Sequence, residues 1–131
     1  MSAVFDLAAH DSSSQPDAGV VLAKATSRSA ALLGLNGSAL ARVIGTSEAT
    51  ISRITRGERP LEPQSKPGEL ALLLVRLFRS LDALVGNDAA QRLAWMSGYN
   101  QALGGVPAQL VLSAAGLAAA VTYLDAMRAP A

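Results

Sequence analysis

Residues 40–57 constrain the fold of this chain more than any other segment, because they describe two short helices that meet at a tight turn. Small Ala41 allows the two helices to approach closely, and Gly45 permits the positive φ that a sharp reversal of the chain needs. Ser47 can cap the second helix by accepting hydrogen bonds from its free N–H groups. The segment therefore predicts a helix-turn-helix.

The second helix of this segment has two different faces. Ile51 and Ile54 lie three residues apart, so they share one face and can pack on Leu40 and Ile44 of the first helix. The opposite face carries small, hydroxylic and basic groups, the kinds of side chain that reach bases and phosphates. The residues that we expect to contact DNA are Arg42, Ser47, Ala49, Thr50, Ser52, Arg53 and Arg56. The plainer alternative is an ordinary helical hairpin of a small bundle.

Several of these residues stand at offsets that chance supplies rarely, namely Leu40-Ala41, Gly45, Ser47, Ile51-Ser52-Arg53 and Gly57. Through them, the chain from about 31 to 60 resembles the Xre-type helix-turn-helix family, the phage-repressor-like regulators. The resemblance implies that the second helix reads operator DNA.

Composition favours helices and limits the chemistry. The chain has 131 residues, half of them apolar, which suffices for one domain or for two small helical domains that share a core. Aromatic residues are scarce whereas Ala and Leu are abundant, so we expect an all-α fold. The absence of Cys excludes disulfides, thiol nucleophiles and zinc fingers. Together with the lack of a secretory leader, it predicts a cytoplasmic protein.

Charge is unevenly distributed along the chain. The net charge is only +1, but residues 37–67 contain five Lys or Arg residues and three Glu residues. A monomer with this excess would bind DNA weakly, and a dimer would bind better because phosphate contacts accumulate.

The N-terminal half has three predicted parts besides the helix-turn-helix. Residues 1–16, which contain the single histidine, His10, are expected to form a flexible tail with no metal site. Residues 17–35 predict a first helix, and 58–67 predict an extended connector because each of its three prolines disfavours helix at the preceding residue. The core positions expected for the first helix are Val20, Val21, Ala25, Ala31 and Leu32.

Residues 68–85 predict a long helix that is apolar around most of its circumference. Its charged residues interrupt the run well short of the roughly 20 apolar residues that a membrane span needs. Such a helix must be buried on two sides, so it joins either two halves of the chain or two subunits. The residues expected in a homodimer seam are Leu70, Leu74, Leu77, Phe78 and Leu81.

Residues 93–124 contain no charged side chain, although Gly and Pro divide them into short helices. Interface cores are depleted in charge, so part of this surface is expected to be covered by a partner. An Ala-rich bundle with a neutral exterior is the plainer alternative. Trp95 and Tyr99 lie four residues apart, either in the core or as partner anchors, and the core is the simpler interpretation.

A second motif lies in this half: Leu93-Ala94-Trp95-Met96, then Asn100-Gln101-Ala102-Leu103-Gly104-Gly105-Val106-Pro107, then Gln109-Leu110, Gly116, Val121 and Leu124. Through these residues, about 68–128 is similar to the C-terminal toxin-binding domain of the Xre/MbcA/ParS antitoxins. The two modules also stand in the order found in that family.

The resemblance implies an antitoxin that inhibits a RES-domain toxin, an enzyme that consumes NAD. Such antitoxins commonly dimerise and repress their own operon through the helix-turn-helix. We divide the chain into a tail (1–16), a helix-turn-helix domain (17–66) and a helical dimerisation and toxin-binding domain (67–131). Asp125 and Arg128 are the only charges after Arg92 and are expected to stand alone beside a neutral surface. Together with the resemblance, this predicts that 123–131 lies at or near the toxin active site, unless Arg128 only completes the last helical turn, where a cation complements the dipole. The implied toxin contacts are Trp95, Tyr99, Asn100, Leu103, Pro107, Leu110, Tyr123 and Arg128.

Two other classes of function remain open at this stage. One is a stand-alone transcription regulator whose C-terminal half senses a ligand or only dimerises, and the other is a structural helical adaptor. Catalysis by the chain itself is not expected, because no nucleophile–base pair or metal-ligand cluster is present. Gly104-Gly105 lacks the context of a phosphate loop and is expected to break a helix, so no cofactor is predicted.

Overall fold

The computed structural model describes residues 17–128, which form seven helices and no named strand. The helices are α1 (Ala18–Leu32), α2 (Gly37–Ile44), α3 (Glu48–Thr55), α4 (Lys66–Val85), α5 (Ala89–Ser97), α6 (Pro107–Leu110) and α7 (Ala114–Arg128). The predicted all-α fold is confirmed. The predicted tail and His10 lie outside the described residues. In the part of the chain that is described, no helix combines the length and apolarity needed to cross a membrane.

The reversal between α2 and α3 follows the prediction in detail. Gly45 has φ +72°, and its N–H donates to the carbonyl of Ala41. Ser47 is the N-cap of α3, where its Oγ accepts a hydrogen bond of 3.1 Å from the backbone N–H of Thr50. The turn is therefore determined by local chain geometry and a local cap.

The buried face of α1 differs from the predicted one. Val20 and Val21 are 43% and 50% exposed, Ala31 is exposed, and Ala25 and Leu32 are only partly buried. The buried residues are instead Leu22, Ala23, Thr26, Ser29, Ala30 and, just after the helix, Leu33.

The prediction for α1 was wrong because the buried face of this helix contains two polar residues, Thr26 and Ser29. Thr26 is fully buried, and its hydroxyl donates a 2.7 Å hydrogen bond to the carbonyl of Leu22, one turn earlier. A buried hydroxyl costs little once it is hydrogen-bonded, so a helix can bury a stripe that is not wholly apolar.

Helix α4 lies at the centre of the molecule. It packs against α1, α2 and α7, and the buried residues form one continuous cluster. Leu74, Leu77 and Leu81 are fully buried within this single chain. These three residues, which were predicted to form a homodimer seam, therefore lie in the core of the single chain and not on a surface that a second copy could contact, whereas Leu72 and Leu84 of the same helix are exposed. Leu70 and Phe78 are partly buried against the same core.

Candidate DNA-binding and partner-binding surfaces

Helix α3 is anchored in the core by its inner face and exposes its outer face. Ile51 and Ile54 are each 3% exposed and belong to the common core, as predicted. Around the rest of the helix and at its end, Ala49, Ser52, Arg53 and Arg56 are exposed. Ser47 and Thr50 are joined through their hydroxyls at 3.0 Å, so both are partly committed to the start of α3. Arg42 is exposed in the last turn of α2, where a cation also complements the helix dipole.

Arg56 is held in place by two neighbours. Its Nε donates to Glu58 Oε2 at 2.9 Å, and its Nη1 donates to Ser52 Oγ at 2.7 Å. The hydrogen bond and the positive charge of Arg56 lower the pKa of the Glu58 carboxyl below its usual value, while the pKa of Arg56 rises. Glu58 therefore stays ionised near neutral pH and offsets part of the positive charge here. Arg53 is exposed, and its guanidinium makes no hydrogen bond or ion pair with any residue in the range 17–128, so it can reach a ligand.

Arg92 is an important residue that the sequence analysis missed. It is 6% exposed and its guanidinium lies 5.6 Å from the centre of the Phe78 ring. Its Nε donates to the carbonyl of Leu32 at 3.0 Å, and its Nη1 donates to Asp82 at 2.7 Å. Arg92 thus joins α5 to α4 and to the end of α1. The sequence signal was the spacing of Phe78 and Asp82, which places a ring and a carboxylate on neighbouring turns of α4.

Some predicted toxin-contact residues support the fold of this chain instead. Asn100 Oδ1 accepts a 3.0 Å hydrogen bond from the backbone N–H of Leu103, and the backbone of Asn100 pairs with Gly105. Pro107 is buried in the first turn of α6. Asn100 and Pro107 are therefore poorly placed for direct contact, because one closes a turn and the other fills the interior.

The remaining predicted contacts are accessible to different degrees. Tyr99 is 69% exposed, so the interpretation of Tyr99 as a core residue is wrong. The reason is that α5 ends at Ser97, which places Tyr99 in the following turn, beyond the helical face of Trp95. Trp95, Leu103, Leu110 and Tyr123 are partly buried. Tyr99 is therefore the most accessible aromatic side chain among the described residues.

The charges of α7 contact α4, contrary to the expectation that they stand alone beside a neutral surface. Asp125 forms an ion pair with Arg76 and accepts a 2.9 Å hydrogen bond from the hydroxyl of Ser80. Arg128 in turn donates to Ser80 Oγ at 3.0 Å. These residues line an open groove of about 450 Å³ between α4 and α7, together with the exposed Arg79. We call it the α4–α7 groove. The packing of α7 on α4 produced this arrangement, since it brings together residues that are 45 and 48 positions apart.

The geometry defines a helical protein with a helix-turn-helix, whose second helix exposes basic and hydroxylic side chains, and a C-terminal half in which residues 93–124 carry no charge. Residues 14–76 match the model of the antitoxin Xre-like helix-turn-helix domain, and residues 80–129 match that of the antitoxin Xre/MbcA/ParS C-terminal toxin-binding domain. The chain belongs to the Xre-type antitoxins. A comparison with curated proteins gives no significant match.

Proposed function

We propose that this antitoxin neutralises a RES-domain toxin that consumes NAD and represses its own operon as a cytoplasmic homodimer. The observation that carries the proposal is that one continuous core supports both the exposed basic face of α3 and the uncharged segment 93–124. We place the division between the two functions near residues 66–67. The chain itself carries out no catalysis in this proposal, because the NAD chemistry belongs to the toxin.

The proposed dimer must use a surface other than the α4 residues discussed above. A dimer remains the best explanation of operator binding, because two copies of α3 would contact successive turns of DNA and double the phosphate contacts. Exposed apolar side chains such as Leu72 and Leu84 are available for it. Leu77→Glu would place a charge in the core and unfold the chain, so it cannot test the dimer.

Replacing Arg53 tests the DNA-binding part of the proposal. We expect Arg53→Ala to weaken operator binding by about 1–3 kcal/mol, because a guanidinium that pairs with a base edge is lost. The measurement is an electrophoretic shift with the promoter region upstream of the gene. Inhibition of the toxin should be unchanged, since Arg53 is exposed on the far domain. An unchanged shift would remove Arg53 from the DNA interface.

A truncation after Arg128 tests the toxin-binding part. It keeps the contacts of Asp125 and Arg128 with Ser80 and removes only the last three residues. If the end of the chain enters the toxin active site, the truncated protein should still form the complex but rescue cells poorly from the toxin encoded beside it. Full rescue would place inhibition on the surface around Tyr99. Failure of the full chain to bind that toxin would contradict the proposed function.

A further inference from the structure

A basic groove lies beside α3 and includes residues that neither domain match nor the sequence analysis assigned to DNA binding. It runs between α1 and the C-terminal end of α3, has a volume of about 630 Å³, and is open to solvent. Lys24 and Arg28 form its α1 side, four residues apart and therefore on one helical face. Arg56 and Thr55 form its α3 side. We call it the α1 groove.

The charges of the α1 groove favour an anion. Lys24, Arg28 and Arg56 line it, and no acidic side chain from residues 17–128 does. Lys24 and Arg28 are both exposed, and neither forms a salt bridge with any residue in the range 17–128. Glu58 forms an ion pair with Arg56 and also lines an adjoining cavity together with Lys24. The groove therefore contains three positive charges, of which Lys24 and Arg28 form no ion pair with a described residue and Arg56 is partly compensated.

An unused hydrogen-bonding group lies in the same place. Ser27 is between Lys24 and Arg28 on α1 and lines the groove, and its Oγ has no hydrogen-bond partner among the described residues. Buried polar groups are nearly always hydrogen-bonded in native structures. Because Ser27 lines the groove, an anionic oxygen bound there could accept a hydrogen bond from its hydroxyl.

We propose that the α1 groove binds a phosphate of the DNA backbone next to the major groove that α3 enters, so that α1 forms part of the DNA interface. This inference depends on the DNA binding proposed above. Thr55 and Arg56 also line a second groove with Ser52 and Glu48 on the exposed side of α3, so the two surfaces are continuous. A helix in the major groove has a sugar–phosphate strand on either side, and Lys, Arg and Ser are common phosphate ligands. Phosphate contacts of this kind position a protein on DNA without reading sequence.

The test measures salt-dependent binding of Lys24→Ala and Arg28→Ala to two labelled duplexes of equal length. One duplex carries the promoter region upstream of the gene and the other has a scrambled sequence. Each variant should reduce the slope of log K against log salt by about 0.9 and weaken binding by about tenfold at 0.1 M salt. The loss should be equal for both duplexes, whereas Arg53→Ala should weaken mainly the promoter duplex.

Arg79→Ala is the matched control, because it removes one exposed arginine and the same charge from the α4–α7 groove. It should leave the salt slope unchanged. Arg28→Lys should retain the slope of the original protein, since the charge is kept, and this variant guards against a loss caused by misfolding.

The inference would be overturned if the salt slopes of Lys24→Ala and Arg28→Ala were equal to that of Arg79→Ala. A loss of toxin binding without a loss of DNA binding would also overturn it, and would indicate an acidic protein segment in the groove. If the unmodified protein binds neither duplex, the proposed DNA binding itself fails.

Discussion

Arg92→Ala is expected to lower the free energy of unfolding by about 3 kcal/mol, near the lower end of the range for breaking a buried ion pair. The substitution leaves the Asp82 carboxylate without its cation and the Leu32 carbonyl without a donor, and it uncovers the Phe78 ring. We expect the lower end of that range because the Asp82 side chain is 22% exposed, so water can partly solvate its unpaired carboxylate. Urea denaturation followed by circular dichroism measures the change.

Two further variants make this result specific to the pair. Arg79→Ala removes an exposed arginine from α4 and should change stability by no more than about 0.5 kcal/mol. Arg92→Ala combined with Asp82→Ala should recover part of the loss, because no unpaired carboxylate then remains. A loss for Arg92→Ala as small as that for Arg79→Ala would show that the contact contributes little in solution.

Gly116→Ala is expected to be the second strongly destabilising change, at about 1–3 kcal/mol or more. A Cβ on Gly116 would lie 1.9 Å from the carbonyl oxygen of Leu110 and 2.7 Å from its carbonyl carbon. Both are backbone atoms, so no side chain can move aside and the first turn of α7 must shift away from α6. Thermal unfolding measures the loss, and binding of the toxin should weaken because α6 and α7 belong to the matched toxin-binding domain.

Gly37→Ala is the appropriate control for that experiment. Its added Cβ would meet only Cγ2 of Ile51 at 3.8 Å, an ordinary van der Waals contact, in the first turn of α2. Its unfolding temperature should be unchanged or slightly raised, since Ala restricts the unfolded chain more than Gly does. Equal stability of the Gly116→Ala and Gly37→Ala variants would mean that α6 and α7 are not held as closely as the structure describes.

The helix-turn-helix could be predicted because it depends on interactions between near neighbours in the sequence. The positive φ of Gly45, the cap of Ser47 and the common face of Ile51 and Ile54 all act within one or two turns. The order of the two modules could also be predicted from the sequence, because the motifs that resemble the antitoxin family are continuous stretches of chain. Both predictions agree with the family matches.

The tertiary structure decided which helices cover each apolar or charged face. An apolar circumference on α4 is equally consistent with a dimer and with burial in one chain, and only the packing of α1, α2 and α7 around it distinguishes them. The α1 face was mispredicted because two of its buried residues are hydroxylic, with Thr26 satisfied by a carbonyl of its own helix. Arg92 and Arg128 find their partners 60 and 48 residues away, at Leu32 and Ser80. Sequence periodicity reports which residues share a face, but a contact across such distances exists only once the helices have packed. These charged contacts between helices therefore became visible only in the folded molecule.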